Sequence, residues 1–209
     1  MKALCINEKI RSLREFPQQK SYKIDMIISL CVLLLGAVMG FVAKATDSVS
    51  IVGDIGTGLS VWIFAATLIA VYSRYPYTAA VNVLLFFLAM MGAYYVYGQL
   101  VFGFFPGAYF MGWLGVAMLS PVAGFVVWFA RGYGILGAVA AALPISVLYL
   151  EGYPAYYTHN PVTILTLCSG IALNILLPKT MFQKLAVFGM AVIFAAAMRW
   201  CDVLSWLPF

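Results

Sequence analysis

Long apolar stretches alternate with short polar segments along the chain, and seven of these stretches have about the length of a membrane-crossing helix. Such a helix needs about 20 mostly apolar residues, within a range of about 17 to 25, because each residue rises only about 1.5 Å. The stretches are Met26–Ala43, Ile55–Ser73, Ala79–Tyr97, Tyr109–Ala130, Ile135–Leu150, Pro161–Leu177 and Phe182–Met198.

The stretches are continuously apolar, whereas the strands of a membrane β-barrel alternate between apolar and polar residues. A helix also satisfies its own backbone hydrogen bonds in lipid. The pattern therefore predicts an all-α fold, a polytopic transmembrane helix bundle of about seven spans. Six spans are the alternative, because Pro144 interrupts the fifth stretch and Arg199 closes the seventh early.

The composition supports lipid as the solvent of this fold. Of the 209 residues 65% are hydrophobic and 9% are charged, whereas soluble domains carry roughly 25% charged residues. So few polar side chains cannot cover a water-facing surface. The composition excludes a soluble domain and indicates a single membrane domain.

The basic residues predict the direction of the spans, since cytoplasmic loops retain Lys and Arg. With the N-terminus inside, ten of the 12 basic residues fall on the inner side, and only Lys44 and Arg199 lie outside. Every inner segment then holds at least one of the ten: Lys2, Lys9, Arg11, Arg14, Lys20, Lys23, Arg74, Arg131, Lys179 and Lys184. The predicted topology is N-in/C-out. The net charge of +5 is spread over these short loops, so it does not indicate a nucleic-acid-binding face.

The N-terminal segment, residues 1–24, is predicted to be distinct from the transmembrane domain, residues 25–209. Ile6, Ile10 and Leu13 recur at helical spacing among charged residues, and Pro17 ends the pattern. This is typical of a short amphipathic helix on the inner leaflet. We interpret it as a basic topology anchor, with docking of a cytoplasmic coupling subunit as the alternative.

The first stretch has a second interpretation, a cleaved signal peptide, because Ala43-Lys44-Ala45 resembles a small-x-small cleavage site. Signal peptides have an apolar region of about 7 to 15 residues. Since the stretch here is longer, we interpret it as a span.

Ionisable and aromatic residues gather near the predicted outer ends of the spans. Proton relays need a charged group in mid-membrane, and no span has one near its middle. Eight of the 13 tyrosines, in contrast, lie on the predicted outer side. This is either the usual aromatic belt of a membrane protein or an outward-facing pocket. Candidate ligand-binding residues of such a pocket are Asp54, Tyr94, Tyr95, Tyr97, Trp113, Tyr149 and Glu151.

Aromatic walls would stack on a flat solute or hold a cationic one, and Glu151 or Asp54 would neutralise its charge. Asp54 has an alternative role as the N-cap of the second helix. The sequence indicates no metal site, because His159 has no second ligand at a suitable spacing and the four cysteines form no CxxC motif. It indicates no cofactor and no catalytic grouping either, so we do not expect an enzyme, and a membrane-embedded enzyme is kept only as the last alternative.

Several residues inside the spans predict helix contacts. Gly36-x-x-x-Gly40 and Gly134-x-x-x-Ala138-x-x-x-Ala142 allow close helix approach. Asn82 and Asn174 are expected to bridge helices, with lining of a cavity as the alternative. Pro121 and Pro144 permit kinks. No internal repeat is apparent.

The glycine and aromatic motifs resemble those of an uncharacterised family of small bacterial multi-spanning integral membrane proteins, a domain of unknown function. The resemblance is carried by Trp113, Ser120-Pro121-x-x-Gly124, Ala130-Arg131, Gly137, Glu151-Gly152, Gly53-Asp54-x-Gly56 and Ala93-Tyr94-Tyr95-x-Tyr97-Gly98. It implies a bacterial inner-membrane location and brings no activity with it.

The leading functional hypothesis is a bacterial inner-membrane protein that binds a small organic solute from the outer side and takes part in its transport. In size and style the chain is similar to the substrate-capturing subunits of vitamin uptake systems, which usually have six spans. The alternative is a non-transporting structural or regulatory subunit that binds partner proteins. Lipid is the expected environment under both hypotheses.

Overall fold

The computed structural model describes Arg14 and residues 22–202, and regular structure in that part of the chain is helical throughout. The helices are α1 (Tyr22–Thr46), α2 (Ser50–Thr57), α3 (Leu59–Tyr72), α4 (Pro76–Phe102), α5 (Gly107–Trp128), α6 (Gly134–Gly152), α7 (Pro161–Leu176) and α8 (Met181–Trp200). Short 3-10 turns, Phe129–Arg131 and Tyr153–Tyr156, extend α5 and α6. The amphipathic helix predicted within residues 1–24 lies outside the described residues, apart from Arg14.

The predicted all-helical class is confirmed. Five of the described helices, α1, α4, α5, α6 and α8, are long and apolar enough to cross a membrane, two of them counted with their 3-10 turns. A sixth candidate is formed if α2 and α3 are taken as one bent span, whereas α7 is a shorter apolar helix. Each predicted stretch overlaps one helix or the bent pair. The count of seven spans and the N-in/C-out orientation remain predictions.

The second predicted stretch differs most from expectation, because the helix there is broken at Gly58. The axes of α2 and α3 meet at 46°, and Gly58 has an extended backbone with φ −63° and ψ 130°. Three glycines within Gly53–Gly58 weaken the helix locally, since glycine costs about 1 kcal/mol relative to alanine in a helix. The indole Nε1 of Trp62 donates to the carbonyl oxygen of Gly56 at 2.9 Å and holds the two pieces together.

The capping role predicted for Asp54 is wrong. Helix α2 begins at Ser50 with Val49 as its N-cap, so Asp54 lies within the helix. Helix α3 begins after Gly58, which is its N-cap. A carboxylate in the interior of α2 cannot accept hydrogen bonds from the first free N–H groups of either helix.

Helix α1 packs on α4 through the predicted small-residue motif. Gly36 and Gly40 are both buried, and a Cβ added at either position would overlap the backbone carbonyl oxygen of Phe86 or Met90, respectively. The prediction of close approach is confirmed here.

Gly134 is different: it has φ +71° with nothing within 4 Å of an added Cβ, so it serves the turn before α6 and not a helix contact. Helices α5 and α6 continue through Pro121 and Pro144.

A buried polar network ties four helices together at the end of the bundle where α1 starts. The Ser29 hydroxyl donates to Asn82 Oδ1 at 2.7 Å, and Asn82 Nδ2 donates to Ser73 Oγ at 3.1 Å. The indole Nε1 of Trp128 donates to the carbonyl oxygen of Ser73 at 2.9 Å. The bridging role predicted for Asn82 is thus confirmed, whereas the buried Oδ1 of Asn174 in α7 accepts no hydrogen bond within the described chain.

Arg14 joins this network from the N-terminal segment. Its guanidinium donates to the carbonyl oxygens of Trp128 and Val71 and lies 4.2 Å from the centre of the Trp128 ring. Both carbonyls lie at helix C-termini, where a cation is favoured. Burial, together with the positive charge of Arg131, lowers the pKa of Arg14 to about 10, so the side chain remains charged at neutral pH. The Arg14 side chain is therefore attached to this end of the bundle.

Candidate solute-binding site

A cavity lies at the opposite end of the bundle, between α1, α4, α5 and the break between α2 and α3. Its volume is about 550 Å³. We call it the aromatic cavity, after the character of most of its larger side chains. Its lining is Lys44, Thr57, Trp62, Met90, Met91, Tyr94, Tyr95, Gly98, Phe102, Phe104, Pro106, Tyr109 and Trp113.

The turn between α4 and α5 shapes one wall of the cavity. Helix α4 ends at Gly103, whose left-handed backbone (φ 65°) reverses the chain, a conformation that glycine adopts without strain. The chain then returns through Phe104, Phe105 and Pro106 to α5. Tyr95 packs edge-on against Phe105 and Phe110, with ring centres 5.7 and 5.2 Å apart. These ring contacts fix the buried Tyr95 in the wall.

Two tryptophans build another part of the wall. Trp113 of α5 meets Trp62 of α3 edge-to-face, with 5.7 Å between the ring centres. Because the Trp62 indole is also hydrogen-bonded to Gly56, this wall is attached to the break between α2 and α3. A ligand that touches Trp62 would thus contact the only bent helix pair in the described part of the chain.

Lys44, near the end of α1, is the one charged residue among the described residues that line the aromatic cavity. Its Nζ lies 2.7 Å from Asp47 Oδ2. The same nitrogen lies 5.0 Å from the ring centre of Tyr94 and 5.4 Å from that of Phe102. The sequence analysis did not include Lys44 among the candidate ligand-binding residues. Lys44 is one of two basic residues outside the inner segments. That position could have identified it as a candidate site residue.

Of the predicted ligand-binding residues, the structure brings Tyr94, Tyr95 and Trp113 together in the aromatic cavity. Tyr97 packs instead on Phe41 of α1, with ring centres 4.9 Å apart. Tyr149 packs on Phe188 of α8, with ring centres 6.0 Å apart.

The two carboxylates expected to neutralise a solute are not in that lining. Asp54 is exposed on α2 and lines neither of the two cavities described at this end of the bundle. Glu151 lies in a second cavity of about 510 Å³, which we call the polar cavity. Residues that were predicted to form a single pocket therefore lie in two separate cavities.

The polar cavity lies between α3, α6, α7 and α8. It is lined by Thr57, Gly58, Leu59, Ser60, Leu150, Glu151, Pro154, Val162, Thr163, Thr166, Met198, Arg199 and Asp202. In its wall the buried Thr166 hydroxyl donates to Ser60 Oγ at 2.9 Å and joins α7 to α3. The Arg199 guanidinium lies 4.7 Å from the ring centre of Tyr153. Thr57, the last residue of α2, lines both cavities. The break between α2 and α3 therefore lies between them.

Comparisons of this chain with protein-family models, with curated proteins and with solved structures find no match. Within the part of the chain that the structure describes, no group of three His, Cys, Asp or Glu side chains could hold a metal ion. The interpretation of the site therefore depends on its own geometry.

Proposed function

We propose that this protein is a multi-pass membrane protein that binds a small organic solute from the outer side, in the aromatic cavity, and takes part in the passage of that solute across the membrane. The observation that carries the proposal is the cavity itself. Its volume of about 550 Å³ lies in the range of about 300 to 1,000 Å³ typical of small-molecule sites. Its wall of aromatic rings with a single charged group is also typical of such sites.

The distribution of charge supports an outward-facing cavity. Six described basic residues lie at the end of the bundle that holds the buried polar network: Arg14, Lys23, Arg74, Arg131, Lys179 and Lys184. There Arg74 also faces Asp25, with 3.8 Å between Nη1 and Oδ1. Of the described basic residues, only Lys44 and Arg199 lie at the end with the two cavities. Because basic residues are retained in the cytoplasm, we infer that the cavities face outward and that the chain makes seven crossings, with α7 as a short one.

The broken helix supports a role in passage as well as in binding. Transporters commonly build their sites from discontinuous helices, because the interrupted backbone can line a cavity and move there. Here the break at Gly58 lies between the two cavities, and Thr57 contributes to both. A rearrangement of α2 against α3 would therefore alter both cavities together.

A ligand screen with matched tryptophan variants tests the proposal. We expect at least one small organic solute to stabilise the purified protein in lipid nanodiscs, by about 2.7 kcal/mol at 100 times its Kd. Trp113→Leu should abolish this stabilisation because Trp113 lines the cavity. Trp200→Leu should retain it, since Trp200 is 91% exposed and outside the lining. The measurement is the Tm of each variant with and without solute.

The ligand-free Tm of Trp113→Leu is the control for loss of fold. If no solute stabilises the wild type and another protein co-purifies with it reproducibly, a structural or regulatory subunit is favoured and solute binding is contradicted. Stabilisation that persists in Trp113→Leu would move the site away from the aromatic cavity.

A further inference from the structure

The described lining of the aromatic cavity presents a positive charge and no negative one. Lys44 is the single charged group in its described lining, and the side chain of Lys44 is 21% exposed. Asp47, the ion-pair partner, is not part of the lining. The sign of this charge is opposite to that needed for a cationic solute.

The faces of two aromatic rings are already occupied by this ammonium group. Lys44 Nζ lies over Tyr94 and Phe102 at 5.0 and 5.4 Å from the ring centres, within the distance of about 6 Å at which cation–π attraction acts. A second cation stacked on the same rings would lie within a few ångströms of Lys44. Repulsion between the two charges would oppose its binding.

An anion, by contrast, has a donor available. An ammonium group carries three N–H donors. Two of them are directed to Asp47, at 2.7 Å, and to the Tyr94 hydroxyl, and the third can reach an anion. The Asp47 side chain is 39% exposed, so water can replace its contact with Lys44 at little cost. An anion inside the cavity is shielded from water on several sides, and its hydrogen bond to the ammonium is accordingly stronger.

The remainder of the lining defines the body of the ligand. Apart from Lys44 and Thr57, the side chains in the lining are aromatic or aliphatic. Trp62, Trp113 and Tyr95 all line this space, and their rings favour a flat apolar group. We propose that the aromatic cavity selects a flat, apolar solute that carries an anionic group, with Lys44 as the residue that determines this charge preference. This inference rests on the proposed solute-binding function.

Three naphthalene probes of similar shape test the charge preference: naphthoate, naphthamide and naphthylmethylamine at neutral pH. Binding is measured by equilibrium dialysis against protein in phosphatidylcholine nanodiscs, with empty nanodiscs subtracted. We expect saturable binding of naphthoate at least about 10-fold tighter than that of the cationic amine, since a charge-assisted hydrogen bond contributes about 1.5 to 3 kcal/mol. The neutral amide should fall between them.

Three variants separate ligand binding from a purely structural ion pair. Lys44→Met should weaken naphthoate binding about 10-fold, whereas Asp47→Asn should tighten it because the competing carboxylate is removed. A structural pair would make both variants change binding in the same direction, and that result would overturn the inference. Lys23→Met is the matched control, because it removes an exposed lysine from the other end of α1 and should leave binding unchanged.

The outcomes also distinguish this inference from the function on which it rests. Saturable binding with the amine or the amide preferred would overturn the anion preference and retain solute binding. No saturable binding of any probe would overturn this inference, whereas the function itself fails only if no solute in the ligand screen stabilises the wild type. A phospholipid headgroup offers the same anionic chemistry, so the assay is repeated with phosphatidylglycerol in the nanodiscs. Displacement of naphthoate by this lipid in the wild type would support the preference for an anion. It would contradict the proposal that the ligand is a soluble solute.

Discussion

Replacing Gly40 with alanine is expected to destabilise the protein, whereas replacing Gly92 with alanine is expected to leave its stability unchanged or to increase it. At Gly40 the new Cβ would overlap the carbonyl oxygen of Met90 in α4. That oxygen belongs to helix backbone and cannot rotate away, so α1 and α4 must separate. Overpacking of this kind costs about 1 to 3 kcal/mol.

Gly92 is the matched control, since it lies in the facing helix and nothing lies within 4 Å of an added Cβ. There the substitution removes a glycine from a helix, which favours folding by about 1 kcal/mol. The two variants therefore differ in the sign of their effect. Thermal unfolding in detergent, followed by loss of the monodisperse peak on size-exclusion chromatography, measures both. Equal Tm values for the two variants would contradict the close crossing of α1 and α4.

The second large effect is expected for Asn82→Leu, which should lower the free energy of unfolding by about 1 to 3 kcal/mol. Asn82 is 2% exposed and makes one hydrogen bond through each end of its amide, to Ser29 and Ser73. Leucine has the same branched shape, is larger, and removes both bonds. The Ser29 hydroxyl would lose its acceptor in an apolar environment, where unpaired polar groups are costly, whereas the Ser73 hydroxyl keeps its hydrogen bond to the carbonyl oxygen of Ile69 at 2.7 Å.

Asn174→Leu is the matched control because the buried Oδ1 of Asn174 accepts no hydrogen bond within the described chain. Removing an unsatisfied polar atom should be neutral or stabilising. Denaturation of both variants in the same detergent gives the comparison. A larger loss for Asn174→Leu than for Asn82→Leu would show that the network at Asn82 does not hold the helices together.

The helices could be predicted well from the sequence because their signal is long and continuous. A run of about 20 apolar residues predicts a membrane-spanning helix with few alternatives. The break at Gly58 was missed for the same reason. Ile55–Ser73 has a continuous apolar character, and hydropathy does not record the backbone freedom that glycines introduce. Gly53-x-x-Gly56-x-Gly58 is a local backbone signal, which a count of apolar residues hides.

The site was predicted only in part, because a topology gives the depth of a residue and not its lateral position in the bundle. Tyr94 and Glu151 were both assigned to the outer ends of spans, and both lie at the same end of the structure. They are on α4 and α6, however, and line different cavities. Which helices are neighbours depends on contacts such as that of Gly40 with Met90, and a glycine motif does not name its partner helix.

The side of the membrane that the aromatic cavity faces can be measured by cysteine labelling in intact cells. Tyr109, in the cavity lining, and Tyr133, next to Arg131 at the other end, are 50% and 53% exposed, so their reactivities should differ only through the side on which they lie. Each would be changed to cysteine after the four native cysteines are replaced by serine. A membrane-impermeant maleimide should label Tyr109→Cys in intact cells and Tyr133→Cys only after permeabilisation. Labelling in the reverse order would contradict an outward-facing cavity and, with it, the capture of a solute from outside.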